Sequence, residues 1–284
     1  MGAAAERWTA LVGNRTRGEG PRPGGRGMGP GPGPGMAERL REDASRDMTR
    51  APLYQAVLAA LGPERTVLDI GAGPGRYSLP LARAGCRVWA VEPGDPMREI
   101  LEADRARLAP EAAARLTVVA GAWPESRDAV PPVEVAFASL VIHFCPDAPA
   151  FLRAMSAAAS RRCLLAIRER QMNPLVETLW PRFHPERPFP RQPVLADLRA
   201  VLEEVGISAE VQVHEAMRRY GHFASREEAR SQLAGMLGVE GPDDLTRLDE
   251  ALDGLLTPGA DGGVAAGEPV REGLLEWTPV LSWA

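Results

Sequence analysis

The sequence predicts an α/β protein built on a doubly wound, mostly parallel β-sheet with helices on both faces. Between residues 63 and 170, short apolar segments alternate with helical patterns. Strands that are continuous apolar runs are typical of parallel sheets covered on both sides. The first of these strands also ends in a glycine-rich turn, GAGPG, before a helix. The chain has 284 residues, of which 45% are hydrophobic, so it can build a core of this size.

The N-terminal segment has a different composition from the rest of the chain. Residues 1–35 are too rich in Gly and Pro, and too poor in large apolar side chains, to offset the entropy cost of ordering. We therefore expect a disordered tail over this range. Met36 opens a helical pattern directly afterwards, so a start codon assigned too far upstream is the alternative explanation. Two helices are expected over residues 36–62, the first over 37–50 and the second ending at Gly62.

The central segment, residues 63–170, should supply five strands and three helices. The strands are short apolar runs, and the helices repeat apolar residues at intervals of three and four. The expected strands are Val67–Ile70, Arg87–Val91, Leu116–Ala120, Val133–Ala138 and Cys163–Arg168. The expected helices lie near Arg76–Ala84, Asp95–Leu108 and Asp147–Ala158.

The pattern becomes less regular after residue 170. Six prolines predict a mostly irregular excursion over residues 171–193, with a short helix around Trp180. Its aromatic and Arg side chains fit two interpretations, a lid over an anionic or planar substrate and a surface arm held by its aromatic residues. A helix over 196–205, a sixth strand, a helical insertion over 217–272 and a seventh strand, LLEWTPVLSW, complete the chain.

Composition and charge exclude several classes of protein. The three Cys residues are scattered without ligand spacing, so we expect neither a disulfide framework nor a metal site. A net charge of −5 gives no support for a nucleic-acid partner. No segment approaches the roughly 18 consecutive apolar residues of a membrane-spanning helix, and the N-terminus lacks the apolar region of a secretory signal. We therefore expect a cytoplasmic protein without a membrane partner; its oligomeric state is open.

The glycine-rich turn is the strongest functional signal. A strand followed by Gly71, Gly73, Gly75 and a helix lets a ligand lie against bare backbone at a helix N-terminus. A dinucleotide fingerprint would place its third glycine at position 76, where this chain has Arg76, so the spacing disfavours a nicotinamide-dependent oxidoreductase. Glu92 ends the next strand, 21 positions after Gly71, where an acid can accept both hydroxyl hydrogens of a ribose.

These residues resemble a known family. VLDIGAGPGR followed by VWAVEP is similar to the first two motifs of class I S-adenosylmethionine-dependent methyltransferases. The resemblance implies a Rossmann-like seven-stranded sheet whose last strand is antiparallel, and one methyltransferase domain over residues 36–284. It also implies S-adenosylmethionine as cofactor, S-adenosylhomocysteine as product, and in-line methyl transfer to a small-molecule acceptor. The alternative is an S-adenosylmethionine-binding regulatory or scaffold protein without turnover.

The resemblance also implies the cofactor contacts. Asp69 and Gly71 would lie along the amino acid part, Glu92 would bind the ribose, and Pro93 and Met97 would flank the adenine. The family's acid after the third strand is missing here, so adenine recognition would depend on backbone N–H groups and on a face contact from Trp123. The full set is Asp69, Gly71, Ala72, Gly73, Gly75, Glu92, Pro93, Met97, Gly121, Ala122, Trp123, Ser139 and Leu140.

His143 is the candidate catalytic acid or base. It follows the fourth strand in the segment that, by the resemblance, faces the reacting methyl group. An imidazole titrates near neutral pH and can accept a proton from a nucleophile. The other interpretation is a packing histidine beside Phe144, and the sequence leaves both open.

Overall fold

The computed structural model describes residues 2–16, 48–171, 174–216, 221–259, 262–267 and 269–280. The helix expected over residues 37–50 lies mostly outside these ranges, and its described end is a 3₁₀ turn, Met48–Arg50.

The described helices and strands follow the expected alternation. The helices are α1 (Ala3–Thr16), α2 (Pro52–Ala60), α3 (Ser78–Arg83), α4 (Asp95–Arg105), α5 (Pro110–Ala114), α6 (Ala148–Ala158), α7 (Pro174–Phe183), α8 (Leu195–Glu204), α9 (Arg226–Leu237) and α10 (Pro242–Asp253). The strands are β1 (Thr66–Ile70), β2 (Arg87–Glu92), β3 (Leu116–Ala120), β4 (Val133–Ser139), β5 (Ala159–Arg168), β6 (Glu210–Glu215), β7 (His222–Phe223), β8 (Thr257–Pro258), β9 (Val264–Ala265) and β10 (Arg271–Trp277). In the described part of the chain, no helix combines the length and apolar character that a bilayer crossing needs.

Seven strands form one sheet in the order β3-β2-β1-β4-β5-β10-β6. The five central-segment strands are parallel, whereas β10 runs antiparallel to both of its neighbours. β1 is buried throughout, and one apolar core lies on each face of the sheet. The predicted fold class, including the antiparallel last strand, is confirmed.

The strand order reverses at β1, because β2 lies on one side of it and β4 on the other. The two crossovers therefore leave in opposite directions, which opens a crevice at the carboxyl ends of these strands. Asp69 near the end of β1 is in register with Ala90 of β2 and Phe137 of β4. The glycine-rich turn lies at this edge.

The expectation of disorder at the N-terminus is wrong for residues 3–16. They form α1, in which Trp8 is fully buried and Val12 is 3% exposed. Trp8 and Val12 are four positions apart, so they lie on one helix face and join a core of the sheet. The composition argument failed because the Gly and Pro residues are concentrated after position 17. Residues 17–35 lie outside the described ranges.

The excursion and the insertion pack together in a third apolar cluster. The insertion adds a small sheet, in the order β7-β9-β8, to the expected helices. Trp180 of α7 is 2% exposed and joins residues of α9 and α10 in this cluster, and its Nε1 donates to the Arg187 carbonyl oxygen at 2.9 Å. This packing agrees with the second interpretation of the excursion, an arm held by its aromatic residues.

Candidate functional site

The glycine-rich turn is tied to the end of β2. The Gly71 and Ala72 N–H groups both donate to the Val91 carbonyl oxygen, at 2.8 and 3.0 Å. Gly71 has φ +72°, and a Cβ there would lie 2.5 Å from a methyl carbon of Val141. Gly73 has φ +55°, but a Cβ there would meet no atom within 4 Å. Packing therefore requires glycine at position 71, whereas Gly73 borders open space in the crevice.

The Glu92 carboxylate lies beside Gly73 at the border of this space. It is 7% exposed, and its two carboxylate oxygens accept N–H groups from Gly73 and Gly94, each at 2.8 Å. Burial raises the pKa of Glu92, while these two N–H donors and the charge of Arg98 lower it. A carboxylate offers about four acceptor positions. Each oxygen therefore retains one for a further donor, which suits a pair of adjacent hydroxyl groups.

Asp69 lies beneath the turn and is 2% exposed. The Ser78 hydroxyl donates to its Oδ2 at 2.6 Å. Burial raises the pKa of Asp69 from 3.8 to about 7; the hydrogen bond from Ser78 opposes this rise, and the negative charge of Glu92 adds to it. Asp69 therefore changes charge near neutral pH.

The end of β4 approaches the turn from the opposite side. Ser139 is hydrogen bonded to Tyr77, whose ring meets Phe137 edge-on with centroids 5.7 Å apart. Burial raises the pKa of Tyr77. Leu140 has φ +55°, an uncommon conformation for a residue with a side chain, and its N–H donates to the Ala166 carbonyl oxygen at 2.9 Å.

His143 lies in the 3₁₀ turn that follows, Ile142–Phe144. It is 5% exposed, and its ring centroid is 4.2 Å from that of Phe144, which is itself 53% exposed. His143 lines a small recess beyond the end of β5. Other residues of this recess are Arg168, Arg170, Gln171, Gln192 and Val194.

A family model for a methyltransferase domain matches residues 36–207, which is more than half of the chain. The chain belongs to this methyltransferase family. The predicted membership of the class I S-adenosylmethionine-dependent methyltransferases is thereby confirmed, and so is S-adenosylmethionine as cofactor. The single domain predicted over 36–284 stays a prediction, because the match ends at residue 207.

Individual relatives share only parts of this methyltransferase. Ribosomal RNA small subunit methyltransferase A of Leifsonia xyli is 45% identical over 62 residues, 22% of each chain. The methyltransferase spans about a quarter of the length of the curated relatives it matches.

Two solved structures share its fold. The YcgJ protein from Bacillus subtilis is 18% identical, with 79% of this chain and 96% of that chain covered and a TM-score of 0.50. A candidate methyltransferase from Bacillus halodurans is 15% identical, with 81% and 100% covered and a TM-score of 0.50.

The residues of the crevice fit S-adenosylmethionine. Gly73 leaves room for a ligand against the backbone, and Glu92 retains acceptor positions for both ribose hydroxyl groups. Both features lie at the reversal of strand order, where ligands bind to open α/β sheets.

The residues that we expect to contact the adenine are only partly exposed. Pro93 is exposed, but Met97 is 2% exposed and packs against Ile100. Trp123 is 7% exposed, and its Nε1 donates to the Phe151 carbonyl oxygen at 3.2 Å. The Trp123 ring therefore belongs mainly to the core. Its expected contact with the adenine face stays a prediction, and Ala122 is the more exposed part of this segment.

Three residues of the site were not anticipated from the sequence. Ser78 is the partner of Asp69, Tyr77 is the partner of Ser139, and Val141 packs over Gly71. Ser78 and Tyr77 follow the glycine-rich turn directly, so a search of the first helical turn for polar side chains would have found them. No pattern in the sequence indicates Val141, because its contact depends on how β4 is placed beside β1.

Proposed function

We propose that this methyltransferase transfers a methyl group from S-adenosylmethionine to a small-molecule acceptor by in-line displacement. The bound cofactor supplies an already activated methyl group. The protein must therefore bind it, align the acceptor and exclude water. The observation that carries the proposal is the hydrogen bond between the Gly73 N–H and Glu92 beside open space at the strand-order reversal, with the His143 recess beyond the next strands.

Each side of the crevice has a distinct role in this proposal. Glu92 accepts both ribose hydroxyl hydrogens, and the bare backbone at Gly73 lets the cofactor approach closely. Ionised Asp69 favours the ammonium group in the amino acid part of the cofactor. Its pKa of about 7 means that this attraction weakens as the pH falls below neutral.

His143 acts as the general base for an oxygen acceptor. This assignment is supported by the position of His143 in the turn after β4 and in the wall of the recess. General base catalysis typically contributes about a hundredfold or more. Replacing His143 with Ala should therefore slow transfer to an oxygen acceptor by about that factor, while cofactor affinity stays nearly unchanged. A parallel loss of cofactor affinity would remove the base assignment.

The recess also favours a class of acceptor. Arg168 and Arg170 line it, and the exposed Phe144 ring lies beside His143 with the two ring planes tilted by 37°. Guanidinium groups bind carboxylates and phosphates, and an exposed ring offers a flat apolar surface. These features support a planar acceptor that lies over the mouth of this small recess, with an anionic group beside the two Arg residues.

Cofactor binding is the direct test. We expect S-adenosylmethionine and S-adenosylhomocysteine at a hundredfold excess over Kd to raise the unfolding free energy by about 2.7 kcal/mol. The substitution Glu92→Gln removes the charge and one acceptor oxygen, so affinity should fall about 10- to 100-fold in calorimetry.

Glu134→Gln is the matched control for this measurement. Glu134 is also 7% exposed, and its carboxylate also accepts two backbone N–H groups, from Gly62 and Glu64. It lies at the amino end of β4, so its substitution should leave cofactor affinity unchanged. Stabilisation by NAD alone would overturn the proposal, and binding without transfer to any planar anionic acceptor would favour a regulatory role.

A further inference from the structure

The segment between β4 and α6, residues 141–147, borders both halves of the site, and we call it the acceptor-side turn. At its start, Val141 packs over Gly71 of the glycine-rich turn. At its centre, His143 lines the recess, and the Phe144 ring lies beside it with centroids 4.2 Å apart. At its end, Asp147 accepts the Ala150 N–H at 2.9 Å and caps α6. This one segment therefore connects the glycine-rich turn with the recess.

The N-terminal helix α1 holds the acceptor-side turn through its backbone. The Trp8 Nε1 group donates to the Cys145 carbonyl oxygen at 2.8 Å. The Thr9 hydroxyl lies 2.8 Å from the Pro146 carbonyl oxygen and 3.0 Å from that of Ala5, so its single proton serves one of them at a time. Trp8 is fully buried and belongs to the same apolar core as Ile142 of the turn.

The helix α1 is fixed at several points. It packs on α6 and α8, and the Glu204 carboxylate at the end of α8 accepts the N–H groups of Gly2, Ala4 and Ala5 at 3.1, 2.7 and 3.4 Å. A fixed helix can transmit its position to the turn, because a buried indole ring has little freedom to move in a close-packed core. This helix lies outside the methyltransferase family match, which begins at residue 36.

We propose that Trp8 is a positioning residue that fixes the acceptor-side turn, and with it His143, relative to the glycine-rich turn. The role of this turn in catalysis rests on the function proposed above. The proposal that Trp8 fixes the position of the turn does not depend on that function. Replacing Trp8 with Phe keeps most of the apolar volume but removes the donor to the Cys145 carbonyl group. The turn then loses the polar contact that anchors its centre to α1.

Histidine NMR signals report on this turn directly. The chain has four His residues, at positions 143, 184, 214 and 222, and the His143→Gln variant identifies the signal of His143. In Trp8→Phe, we expect the ring Cε1 signal of His143 to shift and broaden while the other three stay in place. A residue with only a structural role would lower stability without this selective change.

Trp277→Phe is the matched control. Trp277 is 2% exposed in the same apolar core, and its Nε1 donates to the Ser156 hydroxyl oxygen at 3.0 Å. Its substitution removes an equivalent buried indole hydrogen bond away from the turn, so the His143 signal should not move. An unchanged His143 signal in folded Trp8→Phe, or an equal shift in Trp277→Phe, would overturn the proposal.

Thr9→Val tests the neighbouring contact between α1 and the turn if Trp8→Phe does not fold. Thr9 is only half-buried, and valine matches its shape without the hydroxyl donor. We expect a smaller shift of the His143 signal, and its absence would count against positioning by α1. Adding S-adenosylhomocysteine to the wild-type protein separates the two proposals. If no histidine signal responds and no binding is measured, the proposed function fails, while the effect of Trp8→Phe on His143 still decides the positioning role.

Discussion

Two buried carboxylates at the same sheet edge have different environments. Glu92 accepts two backbone N–H groups, whereas Asp69 has a side-chain hydrogen bond from Ser78 and lies near the charge of Glu92. Hydrogen bonds to a carboxylate favour its charged form, and burial or a like charge disfavours it. For Asp69 burial is the largest effect, and it raises the pKa to about 7.

This shift links stability to pH in a definite direction. The pKa of Asp69 is 3.8 when unfolded and about 7 when folded, so the folded state holds the proton more tightly. The stabilisation is complete below about pH 4 and is lost as the pH rises through 7. Asp69→Asn should remove this dependence, which amounts to about 1.4 kcal/mol per pH unit within that window.

Urea denaturation at several pH values measures the effect. Wild type and Asp69→Asn contain the same other titrating groups, so the difference between their unfolding free energies isolates Asp69. The ligand-free wild type should lose stability relative to the variant between pH 4 and pH 7. If the unfolding free energies of wild type and Asp69→Asn change in parallel with pH over this range, the raised pKa of Asp69 is contradicted.

At the scale of elements, segments distant in sequence complete one another's hydrogen bonding. The first N–H groups of α1 find their acceptor about 200 residues away, in Glu204. By contrast, α9 is capped locally, because the Ser225 hydroxyl accepts the Glu228 N–H at 3.1 Å. Both arrangements satisfy donors that a helix leaves unpaired at its start.

Removing the distant cap should weaken α1 measurably. Glu204→Gln takes away the negative charge that faces the N-terminus of this helix, and N-terminal caps contribute about 1 kcal/mol. The unfolding free energy should fall by about this amount. The neighbouring exposed residue gives the control, since Glu203→Gln should change stability by less than about 0.5 kcal/mol. Equal losses in the two variants would show that Glu204 does not act as a cap.

At the scale of the whole molecule, the apolar interior forms three main clusters. Two lie on opposite faces of the main sheet, and the third joins α7 to the insertion before β10. The candidate site lies at the edge of the sheet, between the two sheet-facing clusters. Regions with separate cores can open independently.

We expect Leu233→Ala to loosen the third cluster selectively. Leu233 is fully buried in α9, and the cavity left by such a substitution costs about 2 to 5 kcal/mol. Hydrogen exchange should accelerate in α9 and α10 but not in β1 or β4. Leu165→Ala, in a fully packed position of β5, should accelerate exchange across the sheet. If Leu233→Ala accelerated hydrogen exchange equally in α9, α10, β1 and β4, the third cluster would not open independently of the sheet.

Local patterns were sufficient to predict the sheet and the glycine-rich turn at its edge. Continuous apolar runs predicted the central strands to within a few residues, because a strand buried on both faces has no polar positions to interrupt it. Gly71 and Gly73 follow β1 in a turn, as expected, and Glu92 ends β2 as expected. These features depend on residues close together in the chain.

What the sequence determined by itself is therefore the α/β class, the glycine-rich turn and the methyltransferase family. The tertiary structure alone decided that α1 folds onto the core, that Trp123 and Trp180 are buried, and that His143 borders a recess with Arg168. Each of these facts joins segments far apart in sequence, and no local periodicity records which distant surface a side chain will meet. For this reason the glycine-rich turn was predicted in detail, whereas the acceptor-side turn and its anchor at Trp8 required the structure.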